Sequence, residues 1–265
     1  MSTTASSPTL TVATYNVLAD SYIKPEHYPR CDLDVFVSEK RHPRIIERVV
    51  GFNADVICLQ EVESSLFALL AERLSLLGYR SFWQKKVSRN KPDGCVISVR
   101  APWRLIGESS LAFSDNIGSP GEKSGHIASF AIVAHGDHRL LVINTHLKWE
   151  PLDTPREKKI GLVQAIELVR TVPAFAIPTI VCGDFNAEHG SSVLNTFQNA
   201  GFVDAHPHNT FTFNTSDPAR KIDFILHTAE LCATPHATPA IDDATVLPSD
   251  TEPSDHLPLI ASFSF

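Results

Sequence analysis

The sequence predicts a strand-rich α/β protein with mixed sheets covered by helices, and three observations carry that prediction. Apolar, β-branched runs of strand length, such as VICL and TIVC, recur along the whole chain. Longer stretches whose apolar residues return at helical spacing stand between some of them. Near the middle, two runs joined by HGDH read as an antiparallel pair, with strand–helix–strand units on both sides.

Taken in order, strands are expected at residues 10–15, 55–59, 79–84, 95–99, 104–113, 126–135, 140–145, 179–182, 222–227 and 257–263. Helices are expected at about 34–51, 64–77, 155–172 and 191–200, with Gly51, Gly78 and Gly201 closing three of them. The stretch SDNIGSPGEKSG, residues 114–125, reads as a mobile loop because it is rich in Ser, Gly and charge. Residues 234–254, rich in Pro, Thr and Asp, predict irregular structure, and residues 1–9 predict disorder. No internal repeat is visible, and 265 residues at 43% hydrophobic content predict a single domain over 1–265.

Composition narrows the function. A net charge of −7 argues against a protein that grips long duplex DNA by a broad basic face, since duplex affinity comes largely from phosphate neutralisation. A short or single-stranded substrate fits better. The start MSTTASSPTL lacks a basic segment followed by an apolar stretch, and no run approaches the ~20 apolar residues of a membrane span. The expectation is a soluble, cytoplasmic monomer without a membrane partner. The 5 cysteines have no CxxC pair, which predicts reduced thiols, with Cys58, Cys95 and Cys182 packed in the core.

Polar blocks sit where strands should end, and edge loops on a rigid sheet commonly carry chemistry. Glu61 follows four apolar residues and Gln60, and an unpaired carboxylate there needs a cation or a proton to offset desolvation. Mg²⁺ suits so sparse a ligand set, because it takes one or two carboxylates, keeps waters and leaves room for phosphate oxygens. In GDFN, Gly183 permits a sharp turn that presents Asp184 and Asn186, one able to take a proton and the other to donate a hydrogen bond. KIDFIL and PSDHLPLI offer Asp223 and His256 as a coupled acid and imidazole, with the acid holding the ring charged against phosphate. If that segment is extended, Asp255 points the other way and reaches the metal directly or through water. His146 in NTHLKW is a candidate donor to a phosphate oxygen, with Asn144 helping to hold the loop, while Asn16 after TVATY is a candidate for the metal, through water, or for phosphate.

In this order the blocks resemble the endonuclease/exonuclease/phosphatase superfamily over nearly the whole chain, from Tyr15 to Phe265. The resemblance implies a four-layer sandwich with two central mixed β-sheets flanked by helices, and Mg²⁺-dependent in-line hydrolysis, with Mn²⁺ able to substitute. It implies Glu61 as metal ligand, Asp184 as the water-orienting base, Asn186 and His146 as phosphate and transition-state contacts, and Asp223 with His256 as the paired acid and imidazole. TYNVLAD, ADVICLQEV, PDGCVI, NTHLKWEP and PSDHLPL are most similar to the branch of carbon-catabolite-repressor deadenylases, nocturnin, the Angel proteins and 2′,5′-phosphodiesterase. Asp93 and Gly94 match that branch's DG motif, which implies a place near substrate, and Trp149 after Lys148 is a candidate to stack on a base.

The expected activity is therefore a phosphodiesterase or phosphatase working at RNA 3′ ends or on short oligonucleotides, 3′–5′ or 2′–5′ linked or ending in 2′,3′-cyclic phosphate. The cluster Arg80, Lys85, Lys86, Arg89 and Lys91 is a candidate guide for such a polyanion. The alternative is a phosphomonoesterase acting on a phosphorylated dinucleotide or inositol phosphate. A DNA endonuclease ranks lower, because Asn16 is followed by Val17 and Leu18 rather than Asn-x-Asn or Asn-x-Asp. So does a sphingomyelinase, for want of a membrane-binding extension.

Overall fold

The structure is a computed structural model that describes residues 8–88, 90–115, 123–151, 153–215 and 218–265. Most of the predicted disordered start, the centre of the predicted mobile loop and Arg89 of the basic cluster lie outside those residues. Twelve strands are described: β1 (Leu10–Asn16), β2 (Val56–Glu63), β3 (Tyr79–Lys85), β4 (Asp93–Arg100), β5 (Arg104–Ala112), β6 (Ile127–His135), β7 (His138–His146), β8 (Thr179–Asp184), β9 (Val203–Asp204), β10 (Asp223–His227), β11 (Cys232–Pro235) and β12 (Leu259–Ser264). The α-helices are α1 (Ser38–Gly51), α2 (Ser64–Ser75), α3 (Ile160–Thr171) and α4 (Ser192–Asn199).

The strands form two 6-stranded sheets, in the orders β11-β12-β1-β2-β4-β3 and β5-β6-β7-β8-β10-β9. Both are mixed. β1 runs parallel to β2 and β7 parallel to β8, while the remaining pairs are antiparallel.

Why the sheets stack follows from their period-2 pattern. In β1, β2, β7 and β8 both alternating faces are apolar. Leu10, Val12, Val56, Cys58, Leu140, Val142, Ile180 and Cys182 meet between the sheets. Ala13, Tyr15, Ile57 and Leu59 face the other way and pack with Ile45 and Val49 of α1 and Leu66, Leu70 and Leu74 of α2. Leu141, Ile143 and Val181 do the same against Leu162, Ala165 and Leu168 of α3 and Val193, Leu194 and Phe197 of α4. A strand buried on both faces needs a cover on each, which yields the layers helix, sheet, sheet, helix. Cys58, Cys95 and Cys182 are fully buried free thiols in this interior, as their apolar surroundings implied.

Differences from the sequence reading are local. α1 starts at Ser38, after a 3₁₀ turn over Leu33–Phe36, and α3 starts at Ile160, after one over Arg156–Lys158. Gly51 ends α1, but the left-handed residue that follows is Asn53, φ 48°; Gly78 and Gly201, at 81° and 87°, take that conformation themselves. β11 falls partly inside the stretch expected to be irregular, because pairing with β12 outweighs its composition. The rest of that stretch, up to β12, forms neither helix nor strand.

Candidate active site

The sheets deliver the polar residues to one end of the sandwich by register. Asn16 at the end of β1 lies beside Gln60 of β2, His146 at the end of β7 beside Asp184 at the end of β8, and Asp184 opposite Asp223, the first residue of β10. Asn16, His146, Asp184 and Asp223 are the last or first of their strands rather than members of the loops beyond, so the ladder itself fixes them. Glu61 departs most from expectation. It lies inside β2, where the pairing with β4 shifts between Leu59 and Val62, and its φ of 59° marks a bulge that turns the carboxylate into the cleft. Gly183 has a φ of 139°, and a Cβ there would lie 1.9 Å from the Thr145 carbonyl oxygen, so only glycine lets β8 approach β7 with Asp184 in place.

Asn144 does not hold the following loop; it ties the sheets together. Its amide donates to the Leu59 and Val96 carbonyls, each at 2.8 Å, and Gln60 Nε2 donates to Asn144 Oδ1 at 2.7 Å. Asn16 plays a comparable part between carboxylates. Its Nδ2 donates to Glu61 Oε1 at 3.1 Å and Asp184 Oδ2 at 3.0 Å, while Oδ1 accepts from Leu18 N. The side chain expected among the metal ligands therefore turns its donor face, not its oxygen, to the acids.

Asp184 also accepts from Asn186 N at 2.8 Å, and Asn186 Nδ2 donates to the Leu147 carbonyl and lies 3.0 Å from His146 Nε2. His256 Nδ1 is 2.8 Å from Asp223 Oδ2, and its Nε2 is 3.8 Å from Asp184 Oδ2. Ser254 locks this corner: its hydroxyl donates to the Asn16 carbonyl and accepts from His256 N. Asp255 lies in a bend and His256 in an isolated bridge to Phe213, not in an extended run, and both line the cleft. Asp255 accepts from Tyr28 Oη at 3.0 Å.

Burial and neighbouring charge set the protonation states. Burial pushes the Asp184 carboxyl up toward neutrality, opposed by His256 and reinforced by Asp223. Burial likewise raises Glu61, against the pull of Lys86. Burial and then Lys86 hold His146 well below the usual imidazole range, so this ring is neutral. Burial works against a charge on His256 too, but Asp223, Asp184 and Asp255 outweigh it and lift the ring to about 10. One imidazole is neutral and the other cationic: beyond burial, Lys86 opposes a charge on His146, whereas Asp223 supports one on His256.

Asp93, expected near substrate, is fully buried. It forms an ion pair with Lys86 at 2.8 Å and accepts from Tyr22 Oη at 2.6 Å, so it reaches the cleft only through those side chains. Gly94 is a packing residue, since a Cβ would meet the Gln84 carbonyl at 2.2 Å. Lys86 is not part of a surface cluster; its Nζ is buried 3.4 Å from His146 Nδ1, whereas Arg80 pairs with Glu108 at the surface. Lys148 and Trp149 line the cleft as expected, Trp149 with 56% of its surface exposed at the rim. Sequence reasoning placed Lys86 only in a charge cluster and missed Tyr22, Tyr28 and His126, whose ring meets His146 edge-on at 5.6 Å. The three tyrosine and histidine side chains carried no motif or local period, because each meets the site through residues distant in sequence.

The donor set suits a hard cation. Ligand atoms of Glu61, His146 and Asp184 lie within 4.8 Å of one another, as do those of Asp184, Asp223 and His256. Two buried carboxylates whose neutral forms burial favours are the kind of group a cation restores to the charged form. The cleft they close has a volume of about 570 Å³.

A sandwich of two mixed sheets with acids, amides and imidazoles gathered on its strand ends defines a phosphoric ester hydrolase. The chain belongs to the Endonuclease/Exonuclease/phosphatase family, whose model matches residues 13–256, a metal-dependent family. Its relatives fall in the deadenylase, nocturnin and Angel branch, as the motifs implied. Nocturnin from Rattus norvegicus is 26% identical over 98% of this chain and 67% of that protein. The CCR4-Not complex 3′-5′-exoribonuclease subunit Ccr4 from Yarrowia lipolytica is 24% identical over 98% of this chain and 48% of that protein. The chain thus spans about two thirds of the one and half of the other. Among solved structures, ANGEL2, a 2′,3′-cyclic phosphatase, in complex with adenosine-2′,3′-vanadate superposes with a TM-score of 0.81 at 22% identity, covering 96% of this chain and 95% of that one. The human Nocturnin catalytic domain superposes at 0.75 with 23% identity, over 97% of this chain and 94% of that one. Both show the shared fold. Among the described residues no helix is long and apolar enough to cross a membrane.

Proposed function

We propose that this chain is a Mg²⁺-dependent hydrolase of phosphate esters at RNA 3′ ends or in short oligonucleotides, 3′–5′ or 2′–5′ linked or ending in 2′,3′-cyclic phosphate. The observation that carries this reading is the convergence of Glu61, His146, Asp184 and the Asp223–His256 pair in two groups of ligand atoms that share Asp184, each within 4.8 Å. The relatives support it by what their names say, an exoribonuclease subunit and a 2′,3′-cyclic phosphatase.

Glu61 and Asp255 would hold the ion, with Mn²⁺ able to replace Mg²⁺ in an oxygen-rich set. When bound, Mg²⁺ supplies charge neutralisation at the phosphate. Asp184, raised toward neutrality and oriented by Asn16 and Asn186, accepts the proton of the attacking water. Asn186 and neutral His146 offer N–H groups to the phosphoryl oxygens, and cationic His256 stabilises the negative charge that builds there. Trp149 offers an exposed face to the terminal base. The same reading takes the protein as a cytoplasmic monomer.

A second reading is favoured by the size of the cleft. About 570 Å³ accommodates one or two nucleotides, which a phosphorylated dinucleotide or inositol phosphate would also fill.

The test incubates the protein and an Asp184→Asn control with Mg²⁺ and 5′-labelled RNAs differing in linkage and terminus. Stepwise shortening, or opening of a cyclic end, is the expected result for wild type, with Asp184→Asn slower by about 10² or more. Hydrolysis of bis-p-nitrophenyl phosphate with every RNA left intact would shift the assignment to the small-metabolite reading.

A further inference from the structure

α1 carries Arg41, Arg44 and Arg48 at spacings of three and four residues, which puts them on one helix face beside the apolar edge of Ile45 and Val49. All three reach the short segment 249–253 that runs directly into Ser254, Asp255 and His256. Arg41, fully buried, donates from Nη1 to the Pro253 carbonyl at 3.3 Å and to the Val17 carbonyl at 2.8 Å, and from Nη2 to the Leu18 carbonyl at 2.7 Å. One guanidinium therefore joins the turn after Asn16 to the approach to His256, and Asp20 pairs with its Nη2 as well. Arg44 Nη1 donates to the Ser249 and Asp250 carbonyls at 3.3 and 3.1 Å. Arg48 pairs with Glu252 at 2.9 Å, and Tyr15 Oη holds the other oxygen of that carboxylate at 2.5 Å.

Residues 236–258 form no helix or strand, so no ladder positions Asp255 and His256 until the isolated bridge from Phe213 to His256 and then β12. Backbone bonds from Asn214 N to the Asp255 carbonyl and from Leu257 N to the Thr212 carbonyl hold one side, and side chains hold the approach through 249–254. We propose that the arginine row of α1 is the positioning device for Asp255 and His256, setting turnover by holding the imidazole 2.8 Å from Asp223 and within 3.8 Å of Asp184. Displacement of a reacting group by about 1 Å costs on the order of 10²-fold in rate, so a clamp outside the cleft acts on kcat without touching substrate. The inference rests on the catalytic assignment of His256 made above.

Arg48 tests it best because, of the three arginines, its side chain is the most exposed at 35%, and a thermal melt of each variant checks that the fold persists. Turnover of bis-p-nitrophenyl phosphate with Mg²⁺ is compared in wild type, Arg48→Met, Arg48→Lys, Glu252→Gln, the Arg48→Met/Glu252→Gln double variant, His256→Gln and Glu47→Gln. Glu47 lies on the same helix but pairs with Arg73 of α2, away from the segment. The expected result is a kcat at least about tenfold lower in Arg48→Met with KM within about twofold. Arg48→Lys recovers most of it, the double variant matches the single ones, and Glu47→Gln equals wild type. Wild-type kcat in Arg48→Met beside an inactive His256→Gln overturns the positioning role alone, as does an equal loss in Glu47→Gln. Wild-type turnover in His256→Gln overturns the catalytic assignment and the inference with it.

Discussion

Replacing Asp223 by Asn keeps the shape beside His256 and removes the charge that holds it. In the wild type, burial disfavours the cation, yet Asp223, helped by Asp184 and Asp255, lifts the ring from 6.5 to about 10. That difference corresponds to roughly 5 kcal/mol in favour of the charged form, at about 1.4 kcal/mol per tenfold. Because the folded value lies above the unfolded one, the stabilisation is fully present below pH 6.5 and disappears as pH rises through about 10. Without the Asp223 charge, burial dominates, and His256 becomes neutral at pH 7 like His146, whose nearest carboxylate among the described residues lies 3.6 Å away. Loss of a charge aimed at the phosphate costs about 10²-fold or more in kcat. Two assays check this: ¹⁵N-resolved titration of the His256 ring in the metal-free protein, and turnover of bis-p-nitrophenyl phosphate with Mg²⁺ at pH 7. The wild-type ring stays protonated to at least pH 9 and the Asp223→Asn ring titrates below pH 7. A wild-type ring that titrates near 6.5, or an Asp223→Asn variant with unchanged titration and rate, would refute the argument.

Glu61→Gln removes a buried anion that faces the cleft, so calorimetry should show weaker Mg²⁺ binding and turnover should fall by about 10² or more. Trp149→Ala leaves the acids and imidazoles in place; nucleotide substrates should weaken far more than bis-p-nitrophenyl phosphate, and equal losses on both would remove the stacking role. Gly183→Ala forces a Cβ to within 1.9 Å of the Thr145 carbonyl and strains a φ of 139°. At a cost of roughly 3 kcal/mol or more, and about 2–4 °C per kcal/mol, a thermal melt should drop by at least about 5 °C.

The amino-acid order by itself determined where ten of the twelve described strands lie, β9 and β11 excepted, and that polar residues stand at the ends of several. Two-faced apolar runs such as VICL and TIVC admit little but a buried strand, and the register of such strands brings Asn16, His146, Asp184 and Asp223 to one end. Asp223 and His256 were legible as partners because an imidazole needs an acid to stay charged, and they meet at 2.8 Å. What only the tertiary structure decided are contacts between segments far apart in sequence, where no local period carries a signal. The bulge that aims Glu61 depends on how β2 pairs with β4. Asp93 reads as a residue near substrate until Lys86 and Tyr22 close over it, and the amide of Asn16 turns its donors to two carboxylates that arrive from β2 and β8. Arg41, an ordinary helix arginine in sequence, is buried because carbonyls from residues 17, 18 and 253 converge on it only after the sandwich has closed.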